Sequence, residues 1–189
     1  YLVYQPQFDT TSGRVEGVET LLRWRHPIYG LIPPPIIVAL AEDTSTIDKL
    51  GLFILRKACD QFSQWRTKID QDLLLSVNLS AKQFADPELA DQVASILRST
   101  EVPPSCLEVE ITESVAMTPN DATVNTLKKL REYGIKVSID DFGMGHTSLR
   151  YLQEFPVDSV KIDRSLTQES ASGVNEHIVR SIVGLGRAM

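Results

Sequence analysis

The most informative stretch of the chain is Lys136-Val-Ser-Ile-Asp-Asp-Phe-Gly-Met-Gly145. The alternating β-branched residues Val137 and Ile139 are typical of a short buried strand. The strand ends in Asp140 and Asp141, two adjacent carboxylates that repel each other and lose solvation unless water or a cation neutralises them. The glycines that follow allow the loop to approach a ligand closely. The pair is therefore either the start of a polar turn or part of a divalent metal site.

Three other strand-like runs carry polar residues in comparable places. They cover residues 73–77, 107–112 and 157–161. Asn78 follows the first run, and the third run ends in Lys161. The second run has apolar residues on one face and Glu108 and Glu110 on the other. Because the carboxyl ends of the strands form the catalytic face of an α/β barrel, we expect these side chains to converge there.

The rest of the chain alternates between strand and helix patterns. Residues 1–8 and 15–24 are predicted to form an antiparallel hairpin across the turn at 9–13. Pro33 to Pro35 mark a loop or a helix entry. Helical periodicity of apolar residues runs from Ile47 to Trp65, from Asp86 to Leu97, from Thr118 to Tyr133 and from about Val174 onward. Repeated strand–helix units predict an α/β fold with a parallel sheet or barrel.

Composition limits the class of protein. The chain has 189 residues, of which 42% are hydrophobic, which is enough for one sizeable core and one domain over residues 1–189. A net charge of −6 argues against a DNA-binding or anionic-membrane surface. The sequence contains neither an apolar run of membrane-spanning length nor a secretory signal pattern. Because Cys59 and Cys106 are too few for a disulfide scaffold, we expect a cytoplasmic domain. The charge and the lack of a membrane-spanning run lead us to expect no contact of this segment with DNA or a membrane.

Two charged residues have more than one interpretation. Glu19 lies inside an apolar strand, where it could pair with Arg23 or Arg25 or act as a metal ligand. Lys161 considered by itself is a solvated lysine at a strand end. Its position among the acidic strand ends favours a role in a site.

Seven short motifs occur in order along the chain. They are Tyr4-Gln-Pro6, Gly17-Val-Glu-Thr-Leu-Leu-Arg-Trp24 with His26-Pro27, Ala41-Glu42, Ser76-Val-Asn-Leu-Ser80, Glu108-Val-Glu-Ile-Thr-Glu113, Asp140-Asp-Phe-Gly143 and Lys161-Ile-Asp163. Together they resemble the EAL domain family of cyclic-di-GMP-specific phosphodiesterases and their inactive relatives. The resemblance implies a TIM-like (β/α)8 barrel whose first strand is antiparallel to the others. It also implies metal-dependent hydrolysis of cyclic-di-GMP to linear pGpG.

The resemblance further implies a set of metal ligands. Glu19, Asn78, Glu110 and Asp140 are expected to hold one divalent ion, and Asp140 and Asp141 to serve a second. All of these ligands carry oxygen, which suits Mg²⁺ or Mn²⁺ better than Zn²⁺. The three histidines show no zinc-ligand spacing. They are His26, His146 and His177.

Other positions are expected to act on the substrate or on the loop. Lys161 is similar to the lysine that contacts the attacking water, and with Asp141 and Glu113 it completes the expected catalytic set. Glu113 resembles the glutamate that anchors the loop after Asp141. Gln5 and Arg23 resemble substrate contacts, with Arg23 directed to a phosphate.

The chain departs from the family pattern at several places. Thr20 replaces the alanine of the tripeptide that names the family, and Met144 and His146 are unusual in the loop after Asp141. Residues 33–36 also differ from the usual loop. A (β/α)8 barrel typically needs about 250 residues. We therefore expect a barrel truncated after about six strands and incomplete at the C-terminus, which as a fragment could be inactive.

Alternative functions and partners follow from the same resemblance. The alternatives to a phosphodiesterase are a catalytically inactive cyclic-di-GMP receptor and a protein-interaction module. A homodimer and flanking sensory or diguanylate-cyclase-like domains are expected from the family, and the parent protein could be membrane-anchored through such domains.

Overall fold

The computed structural model describes residues 1–69, 73–117, 120–143, 155–168 and 174–188. Its strands are β1 (Leu2–Phe8), β2 (Val15–Leu22), β3 (Trp24–His26), β4 (Gly30–Ile32), β5 (Leu74–Asn78), β6 (Leu107–Thr112), β7 (Lys136–Phe142) and β8 (Ser159–Ile162). Six of them form one mixed sheet in the order β1-β2-β5-β6-β7-β8. β1 is antiparallel to β2, and every other neighbouring pair is parallel. The sheet confirms the predicted α/β class with an antiparallel first strand.

Helices connect the parallel strands. They are α1 (Pro34–Asp43), α2 (Ile47–Arg66), α3 (Leu89–Thr100), α4 (Glu113–Met117), α5 (Asp121–Glu132), α6 (Arg164–Gln168) and α7 (Val174–Ala188). The long helices lie where apolar periodicity predicted them. The sequence patterns did not reveal α4, α6 or the separate β3–β4 ladder, because three to five residues are too few to show a period.

The ends of α5 illustrate how local residues set helix boundaries. Asn120 accepts a hydrogen bond from the backbone N–H of Thr123 at 2.7 Å, which caps the helix. Gly134 follows the helix with a φ of +86°, a conformation that glycine adopts without strain. The predicted helix start at Thr118 and Pro119 lies outside the described residues.

The main core fills the space between the sheet and the helices. Leu75, Val109 and Ile139 from three central strands are fully buried, together with Phe62 of α2 and Leu127 of α5. Alternation along the strands points the intervening polar residues to the opposite, concave side. The sequence correctly separates the two faces of β6, but the structure buries both of them.

The register of the sheet brings the carboxyl ends of its parallel strands to one edge. Asn78 lies opposite Glu110 across β5 and β6, and Thr112 lies opposite Asp140 across β6 and β7. Pairing between β7 and β8 is irregular between Ile139 and Phe142. Asp141 lies within this irregularity and has a φ of +55°, in the left-handed region. The backbone therefore bends where the two adjacent carboxylates lie.

Two features considered in the sequence are the loop after Asp141 and the lack of a membrane-spanning segment. Met144 and His146, the departures in the loop after Asp141, lie outside the described residues. Within the parts of the chain that the structure describes, no helix combines the length and the apolar character needed to cross a lipid bilayer.

Candidate active site

Five predicted site residues come together at the carboxyl edge of the sheet. Glu19, Asn78, Glu110, Asp140 and Lys161 lie on five consecutive parallel strands, β2, β5, β6, β7 and β8. Each residue lies at or near the end of its strand. Neighbouring strands are about 4.8 Å apart, so side chains from several of them can reach a common point.

Three carboxylates form the centre of this site. Glu19, Glu110 and Asp140 each offer an oxygen, and these oxygens all lie within 4.8 Å of one another. Asn78 Nδ2 donates hydrogen bonds to Glu19 at 3.2 Å and to Glu110 at 3.1 Å. The structure therefore brings together the four residues expected to hold one divalent ion.

Lys161 is the cation that neutralises part of this cluster. Its Nζ donates to the Glu110 carboxylate and lies 3.5 Å from Glu19 Oε2. The Lys161 side chain is only 23% exposed, so the interpretation as a solvated strand-end lysine is wrong. The alternative pairing of Glu19 with Arg23 or Arg25 is also wrong, since the ion pair that Glu19 forms among the described residues is with Lys161.

The cluster has more carboxylates than cations, and this affects its ionisation. Burial raises the pKa of Glu110 to about 7, with further raising by Glu19 and Asp140, while Lys161 opposes the increase. Burial lowers the pKa of Lys161, but the neighbouring carboxylates together raise it by more, so the net shift of its pKa is upward. Both groups therefore hold protons more tightly than isolated side chains. A cluster with more carboxylates than cations attracts protons, and it can attract a metal cation for the same electrostatic reason.

Asp141 has a separate environment next to the cluster. Burial raises its pKa, and the charges of Asp140 and Asp163 raise it further. The neighbouring Asp163 carboxylate accepts a hydrogen bond from the backbone N–H of Ser165 at 2.7 Å. Asp163 belongs to the motif Lys161-Ile-Asp163, but the sequence did not predict it to be a site residue. The signal that could have found it is its position directly after β8, at the same edge of the sheet.

Glu113 connects the end of β6 to the end of β7. It is the first residue of α4, is buried, and accepts a hydrogen bond from the backbone N–H of Gly143 at 3.0 Å. Gly143 follows β7 with a φ of +103°. This hydrogen bond joins Glu113 to the start of the loop after Asp141, which is the loop that Glu113 is predicted to anchor.

The two predicted substrate contacts lie beside the cluster. Gln5 is exposed and pairs in register with Glu19 across β1 and β2. Arg23 is partly buried and donates to the Leu22 carbonyl at 2.8 Å. Among the described residues, neither side chain forms a hydrogen bond or an ion pair with the three carboxylates.

Comparisons with known proteins identify the class that this fold and site define. The family model of the EAL domain matches residues 1–189, so the chain belongs to the EAL domain family. The bifunctional diguanylate cyclase/cyclic di-GMP phosphodiesterase MucR of Pseudomonas aeruginosa is 43% identical over 189 residues, which are 100% of this chain and 28% of MucR.

Two further comparisons point the same way. The cyclic di-GMP phosphodiesterase PA2567 of Pseudomonas aeruginosa is 36% identical over 186 residues, covering 98% of this chain and 32% of that protein. The solved PaMucR phosphodiesterase in complex with c-di-GMP matches with a TM-score of 0.92 at 43% identity, covering 100% of this chain and 76% of that chain. The chain thus spans about a quarter to a third of the length of these two curated relatives.

Proposed function

We propose that this chain is the catalytic domain of a phosphodiesterase that hydrolyses cyclic-di-GMP to linear pGpG with a divalent cation. The observation that carries the proposal is the convergence of Glu19, Glu110 and Asp140 within 4.8 Å at the carboxyl edge of the sheet. Relatives named cyclic di-GMP phosphodiesterases support the choice of substrate. A phosphodiester is anionic, so an acidic site needs a cation to accept it.

The side chains present fit such a cation. Glu19, Asn78, Glu110 and Asp140 would hold one ion, and Asp140 and Asp141 would serve a second. Oxygen ligands favour Mg²⁺ or Mn²⁺. The three carboxylates also outnumber Lys161, the cation that pairs with two of them, so the cluster keeps negative charge for a metal ion to neutralise. When bound, such ions neutralise phosphate oxygens and lower the pKa of a bound water.

Three residues of the chain would support the reaction around that centre. Lys161, whose pKa is raised by its carboxylate neighbours against the effect of burial, stays protonated at neutral pH. Its positive charge would orient the attacking water and stabilise the charge that develops on the phosphoryl oxygens. Glu113 would hold the end of β7 through Gly143. Asp141, which lies at that end of β7, would thereby be kept in place beside the metal site. Gln5 and Arg23 would contact the dinucleotide, with Arg23 on a phosphate.

The test is hydrolysis of cyclic-di-GMP by the full-length protein with Mg²⁺ or Mn²⁺. Glu19→Ala removes one carboxylate of the cluster and should abolish pGpG production. Glu16→Ala is the matched control, because Glu16 is an exposed acid on the same strand but lies outside the cluster. Release of pGpG by the wild type and by Glu16→Ala, with none from Glu19→Ala, supports the proposal.

The alternative function is a receptor that binds cyclic-di-GMP without cleaving it. Tight binding by the wild type with no product under either metal would establish the receptor. Absence of binding would reject both functions and leave a protein-interaction module.

Further properties of the whole protein are proposals of the same kind. We propose a cytoplasmic location, a homodimer, and flanking sensory or diguanylate-cyclase-like domains. The name of MucR, a bifunctional diguanylate cyclase/phosphodiesterase, supports the last of these. Light scattering of the full-length protein tests the homodimer, since a monomeric mass would contradict it.

A further inference from the structure

A second carboxylate is buried on the concave side of the sheet. Glu108 is 5% exposed and precedes Glu110 by two residues on β6. It accepts hydrogen bonds from the hydroxyls of Ser76 at 3.0 Å and Ser159 at 2.8 Å. Ser76 belongs to β5 and Ser159 to β8. One carboxylate thus joins three strands, and its bond to Ser159 passes across β7.

The strand that carries Lys161 is tied to β7 on either side of that residue, but Lys161 itself has no register partner on β7. The backbone N–H of Asp158 donates to the Val137 carbonyl at 2.8 Å, and that of Asp163 donates to the Phe142 carbonyl at 3.2 Å. β8 has four residues and lies at the end of the strand order. Its ladder with β7 pairs Ser159 and Val160 regularly and then becomes irregular before Ile162, so Lys161 falls in the irregular part. Regular backbone pairing therefore does not determine where the Lys161 side chain is directed. The bond from Ser159 to Glu108 acts on β8 two residues earlier, on the same face of the strand.

We propose that Glu108 is a positioning residue that holds Lys161 over the carboxylate cluster through Ser159. The proposal rests on the function proposed above, because it assigns Lys161 its working position. Glu108 itself does not contact the substrate. Hydrogen bonds of this kind orient the groups that act in a site, and their loss typically reduces activity about 10- to 100-fold.

A different explanation is that Glu108 only accepts hydrogen bonds from Ser76 and Ser159 and stabilises the concave side of the sheet. Ser138 allows the two roles to be separated. It lies on β7 opposite Ser159, is fully buried, and its hydroxyl has no hydrogen-bond partner among the described residues. Ser138→Ala and Ser159→Ala remove the same atom from paired positions on β7 and β8, the first fully buried and the second exposed, but only the second removes a bond to Glu108.

The first measurement is competitive acetylation of lysines in the metal-free, full-length protein, followed by mass spectrometry. Lys161 should react slowly in the wild type because it is mostly buried and ion-paired. Ser159→Ala should increase its rate about fivefold, as expected from loss of one hydrogen bond. Ser138→Ala and the hydroxyl-retaining Ser159→Thr should leave the rate unchanged. Lys129, which pairs with Asp91 on the surface, should react equally in all variants.

Kinetics provide the second measurement. Ser159→Ala and Glu108→Met should lower kcat about tenfold or more while KM changes less than about twofold, because positioning affects the reacting geometry more than binding. Combining Ser159→Ala with Lys161→Met should add no further loss to that of Lys161→Met alone.

Specific outcomes would overturn the proposal. These are an unchanged Lys161 labelling rate in Ser159→Ala, an equal increase for Lys129, or equal effects of Ser138→Ala and Ser159→Ala. If the wild type does not hydrolyse cyclic-di-GMP, the proposed phosphodiesterase fails separately. The labelling experiment then still decides whether Glu108 positions Lys161.

Discussion

Lys161 Nζ donates a hydrogen bond to the fully buried carboxylate of Glu110. The two residues lie on β8 and β6, so the contact reaches across β7 on the concave side of the sheet. Lys161 thereby uses a carboxylate that we assign to the metal. An internal ammonium and a bound cation would compete for the same oxygen atoms, and several measurable properties depend on this competition.

Replacing Lys161 with methionine should destabilise the metal-free protein and strengthen metal binding. Removing one partner of a buried ion pair costs about 3–5 kcal/mol, and the loss here should lie at or below this range because Glu110 can take up a proton. Mn²⁺ affinity should rise at least about tenfold, since unit charges near a protein surface interact by several kcal/mol at 4 Å. Urea unfolding at pH 8 and calorimetric Mn²⁺ titration measure the two effects. Weaker Mn²⁺ binding in Lys161→Met would contradict the competition.

Metal binding should release protons below neutral pH. Burial raises the pKa of Glu110 from 4.5 to about 7, so the carboxyl is largely protonated at pH 6 and must ionise to bind a cation. Affinity should therefore rise as the pH increases to about 7 and then level off. Calorimetry at pH 6 in two buffers with different ionisation enthalpies counts the protons released. Glu110→Gln is the control that should abolish release, and buffer-independent heats for the wild type would refute the assignment.

The raised pKa of Glu110 also affects the stability of the metal-free protein. The folded-state pKa of Glu110 lies above the unfolded value, so the unfolded chain loses its proton first as the pH rises. The contribution of this group to the free energy of unfolding should decline between about pH 4.5 and 7. Thermal unfolding at pH 5 and pH 8 should show a smaller decline for Glu110→Gln than for the wild type. An identical decline in both proteins would assign the effect to other groups.

Loss of the bond between Glu113 and Gly143 should weaken metal binding without unfolding the domain. Glu113→Ala leaves the Gly143 N–H without this acceptor and frees the end of the strand that carries Asp140 and Asp141. We expect about a 10- to 100-fold loss of Mn²⁺ affinity, as for other residues that orient metal ligands. Glu113→Gln keeps a carbonyl acceptor and should lose less. Equal losses in the two variants would show that charge, rather than this hydrogen bond, is what matters.

Two helical glycines should respond oppositely to substitution by alanine. A Cβ at Gly51 of α2 would overlap Nε2 of the buried Gln83, so Gly51→Ala should destabilise the domain by about 1–3 kcal/mol. Gly184 of α7 has open space at the same position, so Gly184→Ala should stabilise by up to about 1 kcal/mol. Urea unfolding compares the two variants. Similar values for both would show that Gln83 adjusts without cost.

Much of the fold and of the candidate site could be predicted from local patterns. Strand alternation separated Glu110 from its apolar neighbours, and parallel topology then placed strand ends such as Asn78 and Asp140 at one edge. Prediction was less successful where long-range contacts decide the outcome. Of the two roles that the sequence leaves open for Glu19, pairing with a nearby arginine or binding a metal, neither includes the lysine 142 residues away with which the structure pairs it.

The two faces of the parallel strands can be assigned without the structure, because side chains alternate and the hydrophobic face must be buried. The order of these strands and of the long helices also follows from the amino-acid pattern, and with it the edge where polar strand ends meet. Which of those polar groups touch depends on the tertiary structure. The contacts of Lys161 with Glu110 and of Ser159 with Glu108 both cross β7, and they depend on the register and curvature of a sheet assembled from distant segments. Local periodicity contains no information on such distances, since packing of the whole sheet sets them.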